Sequence, residues 1–458
     1  MKTALKHIAK HTAKHASQYC AKLASVIGAA ALLAAPHAQA APYCSALLEA
    51  ESLPKRYAKV APIYSDQQSG WMFTRDQLKD RYDMKRSAAT LVGEIAQAFA
   101  ARDVALAILI APPRPVVAGQ AQLDAAMGTE RYDVAAAQAS FAALLAQLAE
   151  TGAIVPDLQG LALGDPALRD RFYFRRDTHW TPLGAAASAS RLAALTATQR
   201  PGLFPAAASF VPAAKADESY REKGSLAEIL RKACDQDPGV EEVQLYDLTR
   251  PTALDLLDDT QAGPSIALLG SSFSNRNKSD DYRFGDALAR AFDADVENLS
   301  VSGGGPIGAI EAYVLSGALE RRDHAMVVWE LPYTESFNST SFLRQLLGAL
   351  QAAGASQRAV PVAVTPGKSV DIPLSGGAPG GIEIVTQGLK HQDMRLELRF
   401  DDGSTGKVSL RRRRAVPVEM RSHSVFGSLD HFGSKTPVAL TLTPAKDAEI
   451  AEIRLFPG

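Results

Sequence analysis

From Ser87 to about Pro332, short and mostly apolar runs alternate with longer helical stretches, and few folds accept that alternation. Ser87–Arg102 places Leu91, Ile95 and Phe99 four apart, the spacing of one helix face. Val104–Ile110 follows as an unbroken apolar run stopped by Pro112 and Pro113. Helical stretches at Val134–Glu150, Pro182–Leu195, Tyr282–Phe292 and Ile307–Glu320 are interleaved with strand-like runs at Ile154-Val155, Ser265–Leu269, Val296–Val301 and Ala325–Leu331. A strand that is apolar on both faces must be covered on both faces. The pattern therefore predicts an α/β domain, with a parallel sheet flanked by helices.

After Leu350 the period changes. Ala359–Val364, Ile382–Thr386, Met394–Phe400, Lys407–Leu410, Val438–Leu442 and Ile450–Leu455 all read as strands. Asp401-Asp402-Gly403-Ser404 reads as a hairpin turn between two of them. Long helical patterns are absent here, which predicts a β-sandwich of about 100 residues. The expected division is a targeting segment at 1–40, an α/β domain at 41–347 and a β module at 348–458.

The targeting segment is basic and then apolar. It holds Lys2, Lys6, Lys10, Lys14 and Lys22, an apolar run Ser25–Ala35, and then Ala38-Gln39-Ala40. That order is a secretory signal peptide, with cleavage expected after Ala40. The apolar run of 11 residues is too short to cross a bilayer. Its removal leaves 44 basic against 50 acidic residues, and no basic block dominates, which argues against a nucleic-acid partner. Residues 358–458 hold 14 basic and 11 acidic residues, whereas 41–357 hold 30 and 39. A cationic β module beside an acidic domain suggests an anionic partner. Two cysteines remain, Cys44 and Cys234; in an exported chain they are most simply one disulfide.

Two short motifs carry candidate chemistry. Ser265–Leu269 runs straight into Gly270-Ser271-Ser272-Phe273-Ser274. A serine at the C-terminal end of a parallel strand stands at the sheet edge where ligands bind. A serine is a poor nucleophile without an adjacent base. Asp177-Thr178-His179-Trp180 offers one: His179 as base, with Asp177 close enough in sequence to orient it. Asp-x-His also occurs in metal sites, but a metal would need further ligands and none is apparent nearby. No metal and no cofactor are expected. Gly303-Gly304-Gly305-Pro306 ends the next strand-like run. An N–H of Gly304 or Gly305 can serve as a second oxyanion donor, or the glycines can simply turn the chain.

In the β module, Lys407–Leu410 leads into Arg411, Arg412, Arg413 and Arg414. An extended chain would put Arg411 and Arg413 on one face and Arg412 and Arg414 on the other. Arg395 and Arg399 share a face of the Met394–Phe400 run. Arginine forks suit carboxylates, so Arg395, Arg399, Arg411 and Arg413 are candidates for binding an acidic polymer. The alternative is a charged edge that discourages strand pairing.

The export signal, Asp-Thr-His-Trp, Gly-Ser-Ser-Phe-Ser, Asn-Leu-Ser-Val-Ser-Gly-Gly-Gly-Pro and Val-Val-Trp-Glu occur here in that order. Together they resemble the periplasmic alginate O-acetyltransferases of the AlgX/AlgJ type. The resemblance implies an SGNH-hydrolase-like catalytic domain, with the Asp/His motif before the serine, and a C-terminal carbohydrate-binding module as in AlgX. It implies Ser272 as nucleophile, His179 as base, Asp177 as its orienter, an acetyl-serine intermediate, and transfer to hydroxyls of an anionic exopolysaccharide such as alginate. It also implies an acetyl donor supplied by a membrane acetyltransferase, contacts with the polymer-export machinery, and a Cys44–Cys234 pairing within the catalytic domain. No cysteine lies in the β module, which departs from the family pattern. An acetylesterase with the same triad and a non-catalytic polymer-binding scaffold are the rival readings.

Overall fold

The computed structural model describes residues 42–250, 263–275, 284–374, 379–390 and 392–457. The targeting segment lies outside the described residues. A hairpin of β1 (Ile63–Ser65) and β2 (Met72–Thr74) precedes the α/β domain, and a second hairpin, β4 (Ala214–Glu222) and β5 (Glu241–Tyr246), lies within it. The central sheet contains β3 (Ala105–Ile110), β6 (Ile266–Leu269), β7 (Val296–Asn298) and β8 (Met326–Leu331). Its order is β3-β8-β6-β7 and every pairing is parallel. β6 and β8 are buried at every position, which is why they carry no polar alternation. Ile154 adds one further parallel bridge, to Ala107.

Helices cover the sheet. Arg86–Ala100 buries Leu91, Val92, Ile95 and Phe99, the stripe expected from its spacing. The stretch from Ile307 to Glu320 is two helices, Gly308–Leu315 and Ala318–Arg321, because Gly317 takes a left-handed conformation between them. Among the described residues no helix is long and apolar enough to cross a membrane.

The C-terminal part is two antiparallel four-stranded sheets. One has the order β14-β11-β16-β9 and the other β10-β15-β12-β13. Their strands are β9 (Arg358–Ala359), β10 (Val370–Ile372), β11 (Gly381–Thr386), β12 (Gln392–Phe400), β13 (Thr405–Arg412), β14 (Ser424–Ser428), β15 (Pro437–Thr443) and β16 (Ile450–Phe456). β12 alternates strictly, burying Met394, Leu396 and Leu398 while exposing Arg395, Glu397 and Arg399. The inward residues meet Ile382, Ile384, Leu440 and Ile453 in a core separate from that of the α/β domain.

One helix, Thr340–Ala352, joins the two parts and runs past the division expected at 347/348. It packs on helix Arg86–Ala100 and on β14. Gln345 donates to Glu311 Oε1 at 2.7 Å and to the Arg411 carbonyl at 2.8 Å, and accepts the Arg411 N–H at 2.7 Å. The helix therefore covers the open edge of β13, which would otherwise invite strand pairing. Arg344 reaches the carbonyls of Asp430 and His431 and lies over the Phe432 ring.

Cys44 and Cys234 form a disulfide with Cα atoms 5.8 Å apart, linking positions 190 residues apart. Beside it, Leu47, Leu53, Ile63, Met72, Ile229 and Leu230 form a satellite core. By the loop-entropy relation, closing so long a loop disfavours the unfolded chain by about 5 kcal/mol. Replacing both cysteines by serine is expected to lower the stability measured by denaturant unfolding by up to that amount, and an unchanged midpoint would contradict this.

Candidate active site

The turn after β6 and the loop before helix Pro182–Gln199 meet at the C-terminal edge of the parallel sheet. There β7 lies on one side of β6 and β8 on the other, the strand-order reversal at which α/β sheets open a crevice. His179 Nε2 is 2.9 Å from Ser272 Oγ, and His179 Nδ1 is 2.5 Å from Asp177 Oδ1. Asp177 is buried and accepts two further hydrogen bonds. The His179 N–H reaches its Oδ1 at 2.9 Å and the Ser225 N–H its Oδ2 at 2.6 Å. With Nδ1 protonated toward Asp177, Nε2 is the atom free to take the serine proton.

The loop carrying Asp177 and His179 is held from several sides. Tyr173 bridges Trp180 across it, and the Thr181 side chain caps the following helix by accepting the Gly184 N–H at 3.2 Å. Arg114, fully buried, donates to the carbonyls of Phe174 and Arg175 at 2.9 and 3.0 Å. Glu241 accepts the N–H groups of Arg175 and Arg176 at 2.8 and 2.6 Å. Gly224 has φ +76°, and a Cβ there would sit 2.3 Å from the Arg176 carbonyl. Only glycine lets the chain pass so close and bring the next N–H, that of Ser225, to Asp177. Across the site, the Trp180 indole N–H donates to the Phe273 carbonyl at 3.1 Å, fastening the histidine loop to the serine turn.

The serine turn rests on a carboxylate. Glu330, near the end of β8, is buried. It accepts the Ser271 N–H at 2.7 Å, the Ser271 hydroxyl at 3.0 Å and the Ser274 hydroxyl at 2.9 Å. The Phe273 N–H is taken by Ser271 Oγ at 3.2 Å. Among the described residues the Ser272 N–H meets no acceptor. From the other side, Ser300 Oγ accepts the Gly270 N–H at 2.9 Å, and Asn298 donates to the Ser274 carbonyl at 3.0 Å.

The other candidate residues fall elsewhere. The Gly304 N–H donates to the Val301 carbonyl at 3.0 Å, so it is engaged within its own turn and is not an oxyanion donor. Gly305, at φ +70°, lies under Arg413, whose guanidinium would be 2.3 Å from a Cβ at that position. The alternation drawn through the four arginines also fails, because β13 ends at Arg412. Arg412 is buried and donates to the carbonyls of Gly388, Lys390 and His423, a structural role. Arg413 leaves the strand and, with Arg411, Ser409, Ser341, Glu335 and Gly304, lines a cavity of about 200 Å³ between the two parts. Arg411 pairs with Asp393 across the hairpin at 3.4 Å. Arg395 and Arg399 stand on the exposed face of β12, and among the described residues neither pairs with a carboxylate. No cluster of metal-ligating side chains occurs among the described residues.

Sequence reasoning did not assign roles to Glu330, Ser225, Arg114 or Glu241. Only Glu330 had a local signal, as an acid inside a strand that is otherwise apolar at every position.

The parallel sheet thus carries a Ser-His-Asp arrangement in which the Asp and His come ahead of the Ser in sequence, an order compatible with a hydrolase-like domain. Residues 67–333 match the family model described as "SGNH hydrolase-like domain, acetyltransferase AlgX", and the chain belongs to that family. The alginate biosynthesis protein AlgX of Pseudomonas syringae pv. tomato is 26% identical over 395 residues, covering 82% of this chain and 77% of its own length. AlgX of Pseudomonas putida is 26% identical over 381 residues, covering 81% and 77%. The solved structure of Pseudomonas aeruginosa AlgX superposes with a TM-score of 0.66 at 19% identity, over 90% of this chain and 98% of that one. The shared architecture therefore extends through the β-sandwich.

Burial pushes the Glu330 carboxyl up to about 7, against the opposing hydrogen bonds from Ser271 and Ser274. Between the ordinary value of 4.5 and about 7, the folded chain keeps a proton that the unfolded chain has lost. The contribution of this group to stability is therefore full below that window and fades as pH rises through it. Glu330→Gln removes the titration. The urea midpoint of the native chain is expected to fall relative to that of the Gln variant as pH is raised across the window; parallel pH profiles would contradict this.

Proposed function

We propose that the chain is a periplasmic polysaccharide O-acetyltransferase that moves acetyl groups through Ser272 to hydroxyls of an anionic exopolysaccharide, with mannuronate residues of alginate as the acceptor. The observation that carries this reading is the continuous Ser272–His179–Asp177 hydrogen-bond chain on a domain of the AlgX family.

In the first half-reaction Ser272 Oγ attacks the donor's acetyl carbonyl carbon while its proton passes to His179 Nε2. Asp177 keeps Nδ1 protonated and stabilises the resulting imidazolium. The Ser272 N–H is placed to donate to the oxyanion of the tetrahedral intermediate. When that intermediate collapses, the carbon–leaving-group bond breaks and the leaving group takes the proton from Nε2. The result is an acetyl-serine. In the second half a sugar hydroxyl attacks the ester carbonyl and gives its proton to Nε2. The serine ester bond breaks, and the proton returns to Ser272 Oγ. The same steps with water would be hydrolysis, so a polymer held beside the serine favours transfer through proximity.

Two arginine sites support an acidic acceptor. Arg395 and Arg399 present guanidinium groups on the outer face of β12 that pair with no carboxylate among the described residues. Arg411 and Arg413 line the cavity between the sandwich and the loop that follows β7. That loop is tied to the serine turn, since Val301 donates to the Gly270 carbonyl and Ser302 to the Asn275 carbonyl. A chain bound along Arg411 and Arg413 would thus run close to the site. The acetyl donor would come from a membrane acetyltransferase, and contacts with the export machinery would hand on the product.

Ser272 is partly exposed at a sheet edge, so its truncation removes little packing. Ser272→Ala is expected to reduce acetylation of polymannuronate by several orders of magnitude with no loss of thermal stability. The assay is transfer from an activated acetyl ester to the oligomer, followed by mass spectrometry. Near-normal transfer by a normally folded Ser272→Ala chain would overturn the reading. Acetate release without any acetylated sugar would instead favour the esterase.

A further inference from the structure

The serine turn contains three hydroxyls in four positions, at Ser271, Ser272 and Ser274, and only the middle one faces His179. The other two donate to Glu330, a carboxylate on the neighbouring strand β8. The fit is close. A Cβ at Gly270 would lie 2.5 Å from Glu330 Oε2 and 2.6 Å from Ser274 Oγ, so the turn can close over the carboxylate only with glycine at that position. Among the described residues no basic side chain forms a salt bridge with Glu330; serine hydroxyls and one backbone N–H solvate it. A buried carboxylate without a cation is costly unless it is fully hydrogen-bonded, and here its hydrogen bonds all come from the turn that carries the nucleophile.

The arrangement also sorts the backbone. Of three successive amides, the Ser271 N–H goes to Glu330 and the Phe273 N–H to the Ser271 hydroxyl, which Glu330 itself holds in place. Among the described residues the Ser272 N–H is left open beside its own Oγ. We propose that Glu330 is a positioning residue for the nucleophile: by accepting from Ser271 and Ser274 it sets the turn so that Ser272 Oγ stays on His179 and the Ser272 N–H stays open to the oxyanion. This rests on the reading of Ser272 as the nucleophile and adds to it a part that never touches the substrate. What the turn needs at this position is acceptance, not charge. A glutamine whose carbonyl takes the place of Oε2 accepts the Ser271 N–H and the Ser274 hydroxyl, while its amide donates to Ser271 Oγ.

The test compares the full chain with Glu330→Ala, Glu330→Gln, the double variant Ser271→Ala/Ser274→Ala, and Ser272→Ala, using p-nitrophenyl acetate as the acetyl source. Steady-state kinetics are read alongside circular dichroism. Loss of positioning acts on the transition state, so kcat should fall about a hundredfold in Glu330→Ala with KM within about threefold. The double serine variant should fall with it, and Glu330→Gln should recover kcat to within about fivefold of the native chain. If Glu330→Ala does not fold, the double serine and Gln variants read the same contact. Native kcat in a folded Glu330→Ala or double serine chain, with Ser272→Ala inactive, overturns the positioning role alone. A Gln variant as slow as Ala also overturns it. An active Ser272→Ala would overturn the nucleophile reading instead, and the positioning role with it.

Discussion

The hydrogen bond between His179 Nε2 and Ser272 Oγ joins two loops separated by 93 residues, and neither loop could hold its place alone. Each is braced by buried or half-buried polar groups from elsewhere in the chain. Arg114 and Glu241 take the backbone of the histidine loop, one through carbonyls and the other through N–H groups. Glu330 and Ser300 take the serine turn. The Trp180 indole then ties one loop to the other. Most of these braces are buried in a dense interior, so a displacement in any of them is passed to the Ser272–His179 contact. The disulfide belongs to the same support. It closes the satellite core that carries Leu226, the residue after Ser225, whose N–H holds Asp177.

The fold class was legible because burial on two faces leaves a plain mark. The strands at 105–110 and 266–269 are uninterrupted apolar runs, that at 326–331 is broken only by Glu330, and β12 shows the alternation of a sheet with one face in water. β10 and β14 left no such mark. Val370–Ile372 is only three residues long, and Ser424–Ser428 places serine and glycine where a strand usually has branched side chains. Both pair because neighbouring strands offer free edges, which is a tertiary fact. The serine turn and the Asp-x-His pair could be located from the sequence, since each sits at a recognisable strand or helix end. Their bracing could not. Glu330 becomes part of the site only once β8 is known to lie beside β6, and Gly224-Ser225 only once it passes under Arg176. Arg413 was misplaced for a simpler reason: the strand ended one residue before it, and alternation ended with the strand.

The β-sandwich is docked too firmly to be a freely tethered binding domain. Gln345 satisfies both backbone groups of Arg411, and Arg344 anchors the carbonyls of Asp430 and His431. A polymer bound to the sandwich would therefore meet the serine at a fixed distance. That geometry would suit transfer to successive sugars, because such an acceptor would be delivered at high effective concentration while water is not. The outer face of β12 and β13 is laced with Asp393–Arg411 and Glu397–Lys407 pairs. It is thus no uniform cationic groove, and recognition of an acidic polymer on that face would rest on Arg395 and Arg399, which pair with no carboxylate among the described residues, or on displacing those pairs.

The central claim is that Ser272 carries the acetyl group between donor and polymer, and the covalent intermediate tests it directly. The protein is mixed with an activated acetyl ester in the absence of polymer, quenched in acid and examined by intact and peptide mass spectrometry. The account predicts one added acetyl group, located on Ser272, absent from Ser272→Ala and discharged when polymannuronate is supplied before the quench. An acetyl group found on Ser271, on Ser274 or on a lysine, and unaffected by the polymer, would contradict it.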